Sequence, residues 1–363
     1  LVKLAKSLFK YRWVSSWTKL NFLLLGLGLL GSCTDSSTIG GNTNTAKISR
    51  LDTVLQRGKL ICGVSGEVPG FSFVDQGGKY SGLDVDFCRS IASALFDDPE
   101  KVEYRNLNAK ERFTAVQTGE VDVLSRNTTW TIGRDTSTAL EFAPTTFYDG
   151  QGMMVRKDSK IKNLEGLNNA SICTQSGTTT ELNLADQMRK LNIPYKPVTF
   201  EDVNAAFAAY QSGRCTAISA DRSALVSRRT LLSNAADHVV LDTVFSKEPL
   251  SPAVSNGDSK WFDAVKWIIY STMAAEELGI DSKNVAQMAS SPSSEVKRFL
   301  GTEGELGKNM GLSPDFAARV VKHVGNYGEI YNRNLGPGTK FNLARGLNNL
   351  WTQGGLIYSP PFR

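Results

Sequence analysis

Short apolar runs alternate with amphipathic stretches along most of this chain. Residues 59–64 form a run of the first kind and predict a strand. In 83–96, Phe87, Ile91 and Leu95 fall four apart, which predicts a helix. Strand 102–106, helix 109–117 and strand 121–124 follow. The order then restarts with strand 171–174, helix 179–191, strand 195–200, helix 203–211 and strand 216–219. Such alternation predicts an α/β protein with parallel sheets covered by helices. Apolar segments 152–155 and 243–245 lie between the two halves and are expected to be crossings. Beyond them, 261–278, 314–325 and 341–351 read as helices whose aromatics pack on the first half.

The restart is also a repeat. Phe113-Thr-Ala-Val-Gln-Thr-Gly-Glu-Val-Asp-Val-Leu-Ser125 parallels Phe207-Ala-Ala-Tyr-Gln-Ser-Gly-Arg-Cys-Thr-Ala-Ile-Ser219. Each has an apolar helix, a glycine stop, a short strand and then a serine. Open parallel sheets bind ligands beyond the carboxyl ends of their strands. Two such edges, face to face, make a cleft. The expected division is 48–153 with 244–363 as the first lobe and its C-terminal extension, and 154–243 as the second.

The chain has 363 residues, enough for two domains, and a net charge of +5. Lys and Arg form no dense block after the first twenty residues, which argues against nucleic acid. The two histidines, His238 and His323, have no metal-ligand neighbours in sequence, so neither a metal nor a cofactor is expected. Lys3, Lys6, Lys10, Arg12 and Lys19 precede an apolar run at 20–30, a signal-peptide layout expected to cover 1–32. That run is short for a membrane span. It ends in Leu30-Gly31-Ser32-Cys33, which resembles a lipoprotein cleavage site with Cys33 lipidated. Residues 33–47, rich in Ser, Thr, Asn and Gly, read as a tether spanning roughly 20 Å. The expected location is therefore the periplasm or cell envelope. In that oxidising setting Cys62, Cys88, Cys173 and Cys215 predict two disulfides. Three pairings are possible; Cys62–Cys88 and Cys173–Cys215, one per lobe, is the expected one. Chain entropy assigns roughly 3.5 and 4 kcal/mol to these loops.

The candidate chemistry lies after the strands. Ser125-Arg-Asn-Thr-Thr-Trp-Thr-Ile-Gly-Arg134 offers hydroxyls, an amide and a guanidinium, a cradle for a carboxylate. Ser176-Gly-Thr-Thr-Thr-Glu181 is a second cradle at a helix start, with Thr178 and Glu181 spaced as a capping box. Asp221, two residues past a strand, is placed to meet an ammonium. Arginine for a carboxylate and aspartate for an ammonium match the two ends of an α-amino acid. Asp84 and Asp86 read as charges at a helix start rather than a catalytic pair.

Gly82-Leu-Asp-Val-Asp-Phe87 with Ile91-Ala92 and Leu95 resembles the signature of the family 3 bacterial solute-binding proteins. Thr131-x-x-Arg134, Gly177-Thr-Thr-x-Glu181 and Gly213-Arg214 to Asp221 follow that family in order and spacing. The resemblance covers roughly 51–242 and narrows to the general L-amino-acid-binding proteins of ABC importers, which share 109–115, 125–131, the four cysteines and the long C-terminal extension. It implies the two-lobe type II periplasmic-binding-protein fold with a two-strand hinge. It implies that Arg134 binds the ligand α-carboxylate with Thr129 and the backbone of Thr179, beside Thr178. Asp221 takes the ammonium with the Asn127 carbonyl. Ser65 and Val68 stand where relatives for basic amino acids often carry an acid and an aromatic. Arg112 stands at a further side-chain contact, where it favours acidic or polar side chains. The expectation is a non-catalytic, broadly specific L-amino-acid receptor that docks to a permease and its ATPase subunits. Competing expectations are a sensing component and a dehydratase-type enzyme on the same fold.

Overall fold

In the computed structural model, residues 48–363 are described. The expected signal peptide, the tether and Cys33 lie outside the described residues. Two five-stranded sheets are built on one plan. The first runs Val102–Asn106, Leu60–Val64, Val123–Leu124, Ala253–Ser255, Leu140–Phe142. The second runs Lys196–Phe200, Ser171–Gln175, Ala217–Asp221, Gln151–Arg156, His238–Val240. In each, three parallel strands are followed by one antiparallel strand, so both sheets are mixed rather than parallel. That antiparallel strand is the one the chain enters on arriving from the other half. The crossing itself is the antiparallel pair Phe147–Asp149 with Glu248–Leu250. The expected crossings are therefore displaced: 152–155 is an interior strand of the second sheet, and 243–245 lies ahead of the hinge strand.

The repeat occupies equivalent places. Val123 and Leu124 stand opposite Cys62 and Gly63, and their repeat counterparts Ala217 and Ile218 stand opposite Ile172 and Cys173, each in a parallel ladder. Cys62 is bonded to Cys88 and Cys173 to Cys215, with Cα separations of 6.3 and 5.6 Å. Helix Leu83–Phe96 begins where predicted because Gly82 turns the chain at φ 127°, where a side chain would meet the Phe71 carbonyl oxygen at 2.1 Å. It buries Leu83, Phe87 and Ile91 against the sheet and the C-terminal helices. Each such side chain contributes about 1.5–3 kcal/mol.

The C-terminal region is helical at Ser259–Glu277, Ser294–Leu300, Phe316–His323 and Tyr327–Asn334. It packs on the first half through Trp261, Phe316, Tyr327 and Tyr331, all buried. Trp261 also donates its indole N–H to the Asp122 carbonyl at 2.9 Å. Phe362 closes the chain against Trp267, Phe299 and Phe316. Residues 341–351 form no α-helix; Asn342 and Gly346 stand at φ 48° and 51°, which breaks any helical run. Among the described residues, no helix is long and apolar enough to cross a membrane.

Candidate functional site

The strand ends of the two sheets meet at one cleft of about 60 Å³. At about 10–15 Å³ for each water-sized centre, it holds roughly four to six such centres, the bulk of one amino acid. Ser65, Arg112, Asn127, Thr129, Arg134, Thr178, Thr179 and Asp221 all line it. Sequence order scatters these residues; the two sheets bring them together.

Arg134 sits in the short helix Ile132–Ser137, capped by the Thr131 hydroxyl. Its guanidinium donates to the Thr129 carbonyl at 2.8 Å and lies over the Phe113 ring. Burial lowers its pKa, against the opposing pull of Glu248 and Asp221. Thr178 accepts from the Glu181 amide, as expected of the cap, but the Glu181 carboxylate turns to the Gly177 amide. The predicted box is therefore shifted by one residue.

Asp221 is the last residue of its strand, rather than two positions past it, and the N-cap position of helix Arg222–Arg229. Burial first, then Asp149 and Glu248, push its carboxyl well above the usual carboxylate range. Asn127 reaches it through Nδ2 at 3.5 Å, while Asn127 Oδ1 is buried without a partner. A cation brought against it would favour its charged form. Asn127 itself stands at φ 33°, a conformation asparagine tolerates better than most residues. Its amide is fixed by the Asp84 carboxylate at 3.0 Å. Asp84 and Asp86 thus act structurally: Asp86 ties Arg333 and Asn334 to the helix start.

Glu248 was not anticipated. It sits on the hinge strand and accepts from Thr129 Oγ1 at 2.6 Å, Thr179 Oγ1 at 2.8 Å and Asn183 Nδ2 at 2.7 Å. One carboxylate thereby links both lobes and the hinge. Its only sequence signal is an acid inside a short strand. Arg126 and Arg228 were also missed, although both are buried and line the cleft. Across the cleft mouth, Asn204 Nδ2 donates to Glu67 Oε1 at 2.6 Å and Arg228 Nη1 to the Glu67 carbonyl at 2.6 Å. Lys110 pairs with Glu201. Among the described residues no cluster of acids, histidines or cysteines has the makings of a metal site.

The chain matches the bacterial extracellular solute-binding proteins, family 3, over residues 60–283. It belongs to that family. It is 50% identical to the general L-amino acid-binding periplasmic protein AapJ of Rhizobium johnstonii, over 92% of this chain and 99% of that one. It is 48% identical to the glutamate/glutamine/aspartate/asparagine-binding protein BztA of Rhodobacter capsulatus, over 88% and 94%. A periplasmic binding protein from Brucella ovis, solved with glutathione bound, is 48% identical and superposes with a TM-score of 0.86 over 87% of this chain and 100% of that one. The fold is thus that of the two-lobe periplasmic binding proteins, and the chain is a binding protein rather than an enzyme.

Proposed function

We propose that this chain captures free L-amino acids of several kinds in the periplasm and delivers them to an ABC permease and its ATPase subunits. The observation that carries this reading is a half-buried guanidinium, Arg134, and a buried carboxyl, Asp221, around one amino-acid-sized cavity between two hinged lobes. In the proposed complex, Arg134 and the Thr129 and Thr179 region hold the α-carboxylate. Asp221 and Asn127 hold the ammonium. Charges so enclosed are costly unpaired and specific when paired. The ligand drives closure through contacts that only the closed lobes supply. The names carried by the AapJ and BztA relatives support both the ligand class and the breadth. Lipid attachment at Cys33 after signal cleavage belongs to the same reading; metabolic acyl labelling, lost in Cys33→Ser, tests it.

The central test is a thermal-shift and calorimetric screen of the twenty amino acids. Several are expected to raise the melting temperature, with about 2.7 kcal/mol of stabilisation at a hundredfold excess over Kd. Arg134→Ala and Asp221→Ala are each expected to weaken binding by about 2–5 kcal/mol, because each strands a buried opposite charge. Near-wild-type affinity in either variant contradicts the assignment. Recovery of the amino acid unchanged after prolonged incubation is expected; turnover favours the dehydratase-type alternative.

A further inference from the structure

Glu248 joins the two lobes from behind the cleft. It is 1% exposed, and neither it nor Asn183 lines the cavity. Both of its oxygens are fully used. Oε2 accepts from Thr129 Oγ1 at 2.6 Å and Thr179 Oγ1 at 2.8 Å, and Oε1 accepts from Asn183 Nδ2 at 2.7 Å and Ser246 Oγ at 2.6 Å. A carboxylate offers about four acceptor sites and no proton, so these donors fill it. Each threonine hydroxyl has a single proton, and that proton is committed here. Neither hydroxyl can then donate to a ligand carboxylate, which is left to Arg134 and to backbone N–H groups.

The donors come from both sides of the hinge. The residues that follow Glu248 are tied to the first lobe. The Trp130 amide donates to the Pro249 carbonyl at 2.8 Å, Thr129 bridges to Leu250, and the Ser251 amide donates to the Thr128 carbonyl at 2.9 Å. Thr179 and Asn183 belong to the second lobe, four apart on one face of helix Thr179–Lys190. The start of that helix favours an anion against its first turn. Separating the lobes takes this helix face away from the carboxylate, while Thr129 stays with it. We infer that Glu248 is the latch of lobe closure. It is a positioning residue that sets the affinity for every ligand through Thr179 and Asn183, not through a contact with the ligand. The inference rests on the amino-acid capture reading.

Calorimetry and stopped-flow binding, with each amino acid that the wild-type chain binds, test the latch. Glu248→Gln sets an NH2 group against two of the donors in the closed form. It is expected to weaken every ligand by one common factor of about tenfold or more. The loss is expected in the dissociation rate, with the ligand-free urea midpoint unchanged. Asn183→Ala is expected to act in the same way on every ligand. Thr179→Val is expected to weaken binding about threefold in the wild type and to add little in Glu248→Gln, because the two changes remove the same bond. An equal cost of Thr179→Val in both backgrounds means that the hydroxyl serves the ligand, and overturns the latch. Unchanged affinity in Glu248→Gln, or a loss that differs from one amino acid to another, also overturns it. Should Glu248→Gln not fold, Asn183→Ala carries the test: a common loss with faster dissociation supports the latch, and unchanged affinity overturns it. These failures leave amino-acid capture intact. Binding of none of the twenty amino acids by the wild-type chain overturns capture and latch together.

Discussion

Asp84 is a carboxyl in the first turn of helix Leu83–Phe96 with no route to water. Its burial pushes the pKa up to about 7, against the favourable Asn127 amide and the Arg126 charge. The unfolded chain releases that proton near pH 3.9. Between these values the folded state binds more protons than the unfolded one, so stability falls as pH rises and the cost is complete above pH 7. The shift corresponds to about 4 kcal/mol. Asp84→Asn keeps an acceptor oxygen for the Asn127 amide and removes the charge. Its ligand-free stability relative to wild type is expected to improve steadily from pH 5 to pH 8, by up to a few kcal/mol, read by urea unfolding. A difference that does not change with pH contradicts this account. The residue thus sacrifices stability at neutral pH to hold Asn127 beside Asp221. This fits a cleft whose groups are arranged for a ligand rather than for the empty protein.

At the scale of elements, the helix start 177–181 shows how closely the lobes approach. Gly177 stands at φ 73°, and a side chain there would meet Lys110 Cγ at 3.2 Å. Gly177→Ala therefore acts twice. The left-handed backbone costs about 1–2 kcal/mol of folding stability. The new methyl also obstructs closure, so ligand affinity is expected to fall several-fold. Lys110→Ala added to that variant is expected to recover affinity but not stability, as measured by calorimetry and urea unfolding. Recovery of both, or of neither, argues against a steric effect on closure. The sequence made much of this architecture readable. Strands and helices that alternate cleanly fell within a few residues of expectation, because sheet burial and helix periodicity are local signals. The same locality hid the rest. The hinge strands Phe147–Asp149 and Glu248–Leu250 are too short to carry a pattern, so apolar 152–155 drew the crossing instead. Helical composition in 341–351 was overridden by two positive φ angles. Arg126 reads as an ordinary polar residue until folding places the Leu107 carbonyl against it. Glu248 has meaning only once both threonines converge on it.

For the whole molecule, the enclosed charges make the empty closed form unfavourable. Burial, with Arg126 and Arg134 nearby, holds the Arg112 pKa well below its usual value, and burial pushes Arg126 down to about 10. An incoming zwitterion supplies the opposite charges, so closure and binding are one equilibrium. Contacts made only when the lobes meet should then alter affinity for every ligand alike. Lys110 and Glu201 are such a pair, on the rim and well exposed. Surface pairs contribute about 0–1 kcal/mol, so Lys110→Glu, which sets two like charges together, is expected to weaken all ligands by about two- to tenfold. Lys110→Glu combined with Glu201→Lys restores the attraction and the affinity. High salt is expected to erase the difference between the single variant and wild type, because charges this exposed are screened. Small-angle scattering completes the test. The radius of gyration is expected to fall on ligand saturation in the wild type, and to require more ligand for the same fall in Lys110→Glu. If the charge reversal changes one ligand and spares another, the pair acts on the cleft itself and closure is not the common step.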